Sequence, residues 1–390
     1  MALARPGGVL TFISSNKFFR AGYGKPLRAY LRGNTRLKTV IDFGDLPIFE
    51  ATTYPCVLVA AARPPDDEAT VQALNVNRVA TLERLADAVQ RDGWPQLQQS
   101  LRQDGWALQP PQVMALLEKL RGSGTPLGEY VNGRFYSGIK TGLNEAFAID
   151  QPTRDQLIAE DTRNAEVIKP WLRGRDLKRW IVSWSHLYVI YIPWDFCIKK
   201  YPAIHRHLQR YKEPLMKRPE VREGRHPWYT MSRYAAEYAD EFEKPKIVYP
   251  DIAKIPQFAY DASGAYGVNT MYILPTDELY LLGVLNSSVV EFFYSQISSA
   301  IRGDYLRFIA MYMKQVPIPD ATPARRTAIK SLVRKLLDAH SGQTSEVSET
   351  SEVSIAQIAQ WERELNALVY ELYGLTEEEI AIVEGRLNHE

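Results

Sequence analysis

The sequence has little cysteine and no long apolar segment. Its 390 residues include two cysteines, Cys56 and Cys197, which are too few for a disulfide framework or a four-cysteine zinc site. No run of about 18 apolar residues is present that could cross a bilayer. The N-terminal residues also lack the apolar core and cleavage site of a signal peptide. We therefore expect a cytoplasmic protein with no membrane partner.

Several catalytic patterns are absent as well. The sequence contains no Gly-x-Ser-x-Gly, His-Glu-x-x-His or Cys-x-x-Cys, which argues against a serine hydrolase, a zinc protease and a dithiol redox site. His205 and His207 are two residues apart and do not share a helix face. Asp251 lacks the second acid and lysine that a metal-dependent nuclease needs. We expect no metal site and no catalysis from this chain alone.

The stretch 138–147, GIKTGLNEAF, has the composition of a phosphate-binding loop but not its spacing. Such a loop places glycine directly before the lysine, whereas Ile139 precedes Lys140. The residues that follow read as a strand instead of the expected helix. The two glycines therefore predict a sharp turn between strands, in which Lys140, Thr141 and Asn144 either face a polyanion or fix the turn.

The formal net charge of +1 hides an uneven distribution. Residues 199–233 contain ten Lys or Arg and three acids, a local charge of +7, and they begin with Lys199 and Lys200. Residues 341–390 contain eleven Glu and two Arg, a charge of −9. This polarity predicts a central surface for a polyanion. The alternative is an ordinary solvated helix face.

Hydrophobic patterning predicts several kinds of structure along the chain. Residues 7–15 read as a buried strand, 25–32 as a helix, and 37–43 and 56–61 as two further strands, which indicates the edge of an α/β sheet. A helix is expected for 106–121, a mainly β region for 127–319 and a helix for 277–300. Residues 344–354, TSEVSETSEVS, predict a flexible linker. Two helices are expected within 355–384, with Thr376 as an N-cap and Glu379 completing a capping box.

Two segments have the composition of a nucleic-acid surface. Residues 169–180 place basic side chains among tryptophans, and residues 298–307 place further ones in a glycine-containing loop. The candidates are Arg173, Arg175, Lys178, Arg179, Arg302, Tyr305 and Arg307. The alternatives are ion pairs of Arg173 and Arg175 with Asp176, and a loop held closed by Asp304. Trp171, Trp180 and Trp184 are expected in the core.

Five segments follow one another in the order GIKTGLNEAFAID, EVIKPWLRGRDLKRW, EKPKIVYPDIA, LYLLGVLNSSVVEFFYSQISSAIRGDYLRFI and QVPIPD. This order resembles the TaqI-like specificity domain of type IIG restriction-modification enzymes and N6-adenine DNA methyltransferases. The ending LNALVYELYGLTEEEIAIVEG is similar to the tail of such proteins, and GGVLTFISSNKFF and KTVIDFGDLPIFEATTYPCVLVAA are similar to the last strands of their methyltransferase domain. The resemblance covers nearly the whole chain.

The resemblance implies an α+β fold made of several parts. These parts are a C-terminal remnant of an adenine methyltransferase domain (1–65), a linker and spacer helix (66–126), a target-recognition domain (127–340), a flexible linker (341–354) and a C-terminal helical pair (355–390). It implies that the central domain recognises double-stranded DNA. The alternative is an interaction subunit that docks on a separate catalytic methyltransferase half.

The resemblance also implies a cofactor. S-Adenosylmethionine is expected to be the cofactor of the complete parent enzyme, meaning the full-length methyltransferase of this family, and some members of the family also carry an endonuclease. The glycine-rich cofactor turn and the Asn-Pro-Pro-Tyr loop of that enzyme are missing from this sequence, and we expect them upstream of Met1. The resemblance implies that Phe49 stacks on the flipped base. The alternative is an ordinary core phenylalanine.

Overall fold

A computed structural model describes residues 4–44, 46–50, 53–76, 79–298, 300–301, 305–344 and 354–385. It confirms the α+β fold class, with helices and several small sheets. The chain forms two compact units. The first contains residues 1–123, 292–306 and 376–390, and the second contains residues 124–291 and 307–375.

The first unit is built on a five-stranded sheet. Its strands are β1 Val9–Ser15, β2 Arg36–Asp42, β3 Pro55–Ala61, β4 Thr70–Asn75 and β5 Trp94–Leu97, and its first helices are α1 Lys25–Asn34, α2 Leu85–Arg91 and α3 Pro111–Gly122. The strand order is β1-β3-β2-β4-β5. Strand β3 is antiparallel to β1 and β2, and β2 is parallel to β4. Strands β1, β2 and β4 therefore run in the same direction.

A buried arginine fixes the entry to α1. Arg28 is 1% exposed, and its guanidinium donates to the carbonyl oxygens of Phe18 (2.6 Å), Ala21 (2.9 Å) and Gln103 (2.8 Å). Because a buried charged donor without acceptors is costly, these three carbonyls stabilise the folded position of α1. Trp106 packs beside this site against Phe19, with ring centroids 5.6 Å apart.

Two features of the first unit differ from the sequence expectations. All seven residues of β1 are exposed, so the prediction of a buried strand for 7–15 was wrong about burial although right about the strand. Its apolar pattern suits a strand covered on both faces, yet among the described strands β1 pairs with β3 alone. The interval expected as a linker also contains β4 and β5, which extend the sheet.

The remaining strands and helices follow in chain order. The strands are β6 Thr125–Pro126, β7 Tyr136–Ser137, β8 Ala148–Ile149, β9 Ile168–Leu172, β10 Trp180–Ile181, β11 Tyr188–Ile190, β12 Lys246–Pro250, β13 Ile252–Ala253, β14 Ala259–Asp261, β15 Tyr266–Gly267, β16 Met271–Leu274, β17 Ala300–Ile301, β18 Tyr305–Arg307 and β19 Pro317–Ile318. The helices are α4 Leu127–Tyr130, α5 Asn144–Phe147, α6 Gln151–Glu160, α7 Pro202–Gln209, α8 Lys212–Met216, α9 Pro219–Arg222, α10 Leu279–Leu285, α11 Ser288–Ile297, α12 Ala310–Met313, α13 Pro323–Thr344, α14 Ile355–Leu372 and α15 Glu377–Val383.

The strands of the second unit are short, between two and five residues long. One sheet has the order β10-β14-β12-β16-β7, another has the order β15-β9-β11-β8, and β19 pairs with β6. Side chains of the first two sheets form one shared core that includes Trp171, Val189, Val248 and Ile273. The expectation of a mainly β region for 127–319 was wrong: the strands are short, and helical residues outnumber strand residues in this interval.

Helices complete this unit. Helices α10, α13 and α14 pack together around Gly283, where an added Cβ would lie 2.9 Å from methyl groups of both Ile329 and Val333.

The single helix expected for 277–300 is divided into α10 and α11. The capping box predicted at Thr376 and Glu379 is present at the start of α15. Most of the expected linker, from residue 345 to residue 353, lies outside the described residues.

A buried ion pair joins two central strands. Lys246 on β12 lies directly opposite Asp261 on β14, with its Nζ 2.6 Å from the carboxylate Oδ2. Both side chains are almost fully buried, and Lys246 also donates to the Phe242 carbonyl at 2.6 Å. Burial lowers the pKa of Lys246, and the Asp261 charge opposes that shift. Each charge depends on the other inside this core.

Replacing Lys246 by methionine is expected to lower the free energy of unfolding by about 3–5 kcal/mol, because the Asp261 carboxylate would stay buried without its cation. Lys244→Met is the matched control, since that side chain is 58% exposed and a change within about 0.5 kcal/mol is expected. Chemical denaturation measures both values. Equal denaturation midpoints for the two variants would show that the buried pair is unimportant.

Candidate nucleic-acid interface

The loop 138–142 lies between two neighbouring segments of the second unit. Gly138 donates its N–H to the Met271 carbonyl and Ile139 donates to the Gly267 carbonyl, both at 2.8 Å. On the other side, Lys140 forms an antiparallel bridge with Arg233. A Cβ on Gly138 would overlap the carbonyl oxygens of Gly267 and Val268, so glycine permits this close backbone approach. Residues 139 and 140 are therefore extended and paired on both sides, and the chain bends at Gly142, so the predicted turn is found only at its second glycine.

The segment after the loop differs from its prediction as a strand. Residues Asn144–Phe147 form a single helical turn, α5, and the strand β8 that follows has two residues. Thr141 donates its hydroxyl to Asn144 Oδ1 at 2.6 Å, which ties the loop to this turn. A phosphate-binding loop would continue into a longer helix whose first amides are open to a ligand. The structure agrees with the rejection of that motif.

A second buried arginine, Arg218, holds the loop 138–142 by a hydrogen bond to its backbone. Arg218 is 6% exposed and donates to the carbonyl oxygens of Thr141 (3.1 Å), Leu215 (3.1 Å), Trp228 (2.6 Å) and Thr230 (2.9 Å). Gly142 has a φ of +82°, and a Cβ there would overlap Arg218 and the Ser232 hydroxyl. This contact explains why glycine is needed at 142.

The three candidates in the loop have different environments. Lys140 and Asn144 are exposed, so both side chains lie at the surface. Thr141 is 3% exposed, and its hydroxyl and carbonyl are engaged by Asn144 and Arg218. These contacts hold Thr141 within the protein, as the alternative expected, and its DNA contact stays a prediction.

The segment 173–178 contains one arginine that is paired within the protein and two cations that are exposed. Arg173 contacts the Asp176 carboxylate through Nε and Nη2, both at 3.1 Å, and donates to Ser185 Oγ at 2.6 Å. Burial alone would raise the pKa of Asp176, but its hydrogen bonds and the Arg173 charge lower it below the usual value. The ion-pair alternative therefore describes Arg173. Arg175 and Lys178 are exposed, and their DNA contacts stay predictions.

Arg179 also has partners within the protein. Its Nη2 donates to the Asn286 carbonyl at 2.5 Å, its Nη1 lies 3.3 Å from Glu362, and its guanidinium lies over the Trp180 ring. Trp180 donates Nε1–H to the same Glu362 carboxylate at 2.9 Å. These contacts connect the basic segment to α14 and leave Arg179 less suited to DNA than its neighbours. Trp171 and Trp180 are buried, as expected, and Trp184 is half-buried.

In the second unit, the structure brings residues from distant parts of the sequence to one end of the sheet β10-β14-β12-β16-β7. Arg307 Nη2 lies 2.9 Å from Asp251 Oδ2, just after β12. Burial raises the pKa of Tyr272 on β16, Asp251 raises it further, and Arg307 and Arg233 oppose the shift. Those charges therefore lie near the Tyr272 hydroxyl. Asp251, which the sequence did not support as a nuclease residue, is the ion-pair partner of Arg307.

The other candidate DNA-contact residues are exposed or lie outside the part of the chain that the structure describes. Lys199 and Lys200 are exposed in a short 3₁₀ turn, and Tyr305 is 40% exposed. Arg302 and Asp304 lie outside the described residues. Phe49 is 48% exposed, so it is not the core phenylalanine of the alternative, and its stacking on a base remains a prediction.

Sequence reasoning missed two surface residues. Arg233 was counted only as the end of the basic run, although its backbone pairs with Lys140. Trp194 is 41% exposed, stacks on His226 with ring centroids 5.0 Å apart, and donates Nε1–H to the Met231 carbonyl at 2.7 Å. The basic run was the available signal for Arg233. An exposed tryptophan has no comparable local signal.

Among the described residues, no group of three or more His, Cys, Asp or Glu is arranged to hold a metal ion. No described helix is both long and apolar enough to span a bilayer.

Comparisons with known proteins agree with this architecture. Type II methyltransferase M.PaeR7I of Pseudomonas aeruginosa is 25% identical over 402 residues, covering 97% of this chain and 63% of the relative. Type II methyltransferase M.BstVI of Geobacillus stearothermophilus is 23% identical over 411 residues, covering 97% and 66%. The chain thus spans slightly less than two thirds of these two relatives.

A solved structure shows the same fold. The type IIL restriction-modification enzyme MmeI, determined in complex with DNA, aligns with a TM-score of 0.62 and 13% identity over 97% of this chain and 49% of that chain. Residues 169–318 match the family described as the TaqI-like C-terminal specificity domain, and residues 1–49 match the Eco57I restriction-modification methylase family. The resemblance proposed from the sequence is confirmed: part of this chain is similar to the TaqI-like C-terminal specificity domain, and its first residues are similar to an Eco57I restriction-modification methylase.

Proposed function

We propose that this chain recognises a specific sequence in double-stranded DNA, as the specificity part of a restriction-modification N6-adenine DNA methyltransferase. The observation that carries the proposal is the TaqI-like specificity match over residues 169–318. The matched region contains the exposed cations Arg175, Lys178, Lys199 and Lys200. Arginine and lysine can neutralise phosphates and donate to guanine, so this surface has suitable chemistry.

The cations of this surface fall into two groups, those paired within the protein and those exposed to solvent, and this division supports DNA binding. Arg173, Arg179 and Arg307 are held by carboxylates within the protein, which gives the surface a defined shape. Exposed cations beside them keep their charge available to a polyanion. Phosphate contacts position a protein on DNA, whereas contacts with base edges select the sequence. We expect both kinds of contact on this surface.

S-Adenosylmethionine does not fit the residues of this chain. The carboxyl ends of β1, β2 and β4 lead into SNKFF, FGD and NVN, and none is the glycine-rich turn that lets a backbone approach this kind of cofactor closely. Asn16 after β1 donates instead to Asp42 at 2.8 Å. We propose that the cofactor and the adenine-binding loop belong to a catalytic part outside these 390 residues.

Purified chain is expected to bind duplex DNA, with an affinity that falls linearly on a log–log plot against salt by about 0.9 per phosphate contacted. Methyl transfer from S-adenosylmethionine by the chain alone is expected to be undetectable. Fluorescence anisotropy and a radiolabel transfer assay measure these two properties. Salt-independent binding, or methylated product from the chain alone, would contradict the proposal.

Arg175→Gln and Lys178→Gln are each expected to weaken duplex binding by about 1–2 kcal/mol, because a charge-assisted hydrogen bond to DNA is lost. Arg163→Gln is the control, since this cation is 59% exposed but pairs with Asp161 at 2.6 Å. Binding titrations at one salt concentration compare the three variants. An equal loss for Arg163→Gln would show a nonspecific charge effect.

A second candidate function, docking on a separate catalytic methyltransferase half, is favoured by β1. Val9 and Ile13 lie on one face of this strand and Leu10 and Phe12 on the other, and all four are 38–58% exposed. Exposed edge strands invite pairing with another strand. An occupant that covers both apolar faces needs a strand flanked by helices, as in an α/β catalytic domain.

Phe12→Asp is expected to abolish co-purification with the part of the Pseudomonas aeruginosa relative that lies outside the match, because a charge would replace the apolar contact. Leu97→Asp is the matched control on β5, the opposite edge of the same sheet, where Leu97 is 54% exposed and Phe12 58%. Co-expression and affinity capture make the comparison. Identical behaviour of both variants would exclude β1 as the docking edge.

A further inference from the structure

Lys140, within the loop 138–142, lies directly opposite a second cation, Arg233. Lys140 donates its N–H to the Arg233 carbonyl and Arg233 donates to the Lys140 carbonyl, both at 2.9 Å. Residues directly opposite in an antiparallel pair place their side chains on the same side, with Cβ atoms about 5 Å apart. Lys140 and Arg233 are both exposed. The bridge therefore places two positive side chains next to each other.

This arrangement is unfavourable in the protein alone. Like charges directly opposite in a strand pair are destabilising. Within the described part of the chain, neither Lys140 nor Arg233 forms an ion pair with a carboxylate, unlike Arg173, Arg206 or Arg307. Arg233 Nη2 instead donates to the Gly138 carbonyl at 3.2 Å, which satisfies one donor but leaves the charge uncompensated.

The surrounding frame keeps the two cations from separating. Ile139, next to Lys140, is fully buried and bridges Val268. On the other side, Arg218 donates to the Thr141 carbonyl at 3.1 Å and to the Thr230 carbonyl at 2.9 Å. Both backbones are therefore fixed on either side of the bridge. A rigid pair of uncompensated cations is preorganised for an anion.

We propose that Lys140 and Arg233 hold one phosphodiester of duplex DNA between their side chains. This inference rests on the proposed function and assigns a backbone phosphate to this site. A phosphate oxygen accepts hydrogen bonds from both an ammonium and a guanidinium, and its negative charge removes the repulsion between them. The contact would position the protein on DNA without selecting a base.

The test is the salt dependence of duplex binding by Lys140→Gln, Arg233→Gln and Arg233→Lys. Each glutamine variant is expected to reduce the log–log salt slope by about 0.9 and to weaken binding equally for every base substitution in the duplex. Arg233→Lys keeps the charge and is expected to keep the slope. Lys140→Gln is expected to retain or raise the melting temperature, since the repulsion is relieved.

Arg206→Gln is the control within the basic run, because Arg206 is 63% exposed but contacts Glu160, and its slope is expected to match that of the unmodified chain. Unchanged slopes for both glutamine variants, with salt-dependent binding by the unmodified chain, would overturn the phosphate site and leave the proposed function standing. A loss confined to one base pair would also overturn it, in favour of base reading. Absence of duplex binding by the unmodified chain would overturn both.

Discussion

The buried guanidinium of Arg218 is the constraint on which the candidate interface depends. It lies in the core of the second unit and donates to four carbonyl oxygens, from Thr141, Leu215, Trp228 and Thr230. Burial lowers its pKa, with Glu220 acting in the opposite direction. Since a buried cation without acceptors is costly, the loop, the end of α8 and the segment before Arg233 must stay together. The positions of Lys140 and Arg233, which lie beside the segments that Arg218 holds, depend on this buried cation.

Charges in the second unit have two separate roles. Lys246 and Asp261 join the central strands where water does not reach, and Arg173 and Arg179 fix surface segments through Asp176 and Glu362. Cations such as Arg175, Lys178, Lys140 and Arg233 are exposed instead. Breaking a buried pair affects folding, whereas removing an exposed cation affects a ligand. A rigid scaffold with a positive surface suits the recognition of a polyanion.

Local signals predicted local structure well. The capping box at Thr376 depends on residues three apart, so the sequence is sufficient to predict it. The turn expected between Gly138 and Gly142 was predicted only in part, because Ile139 and Lys140 are extended and pair with Val268 and Arg233, which are distant in the sequence. The exposure of β1 could not be predicted from the sequence. Its apolar pattern is typical of a strand covered on both faces, but no described residues cover it. The partners of Arg179 and Lys140 lie 183 and 93 positions away, Glu362 and Arg233. Such pairings depend on the complete fold, so composition could identify basic segments but not which cations are already paired.

The central claim is that this chain recognises a DNA sequence, and selection from a random duplex pool tests it most directly. Repeated binding and amplification at physiological salt, followed by sequencing of the bound fraction, would reveal any preferred site. Specific protein–DNA complexes are typically about 10³-fold or more tighter than nonspecific ones. The account predicts enrichment of one short sequence. Salt-dependent binding with no enriched sequence, or no binding, would contradict it.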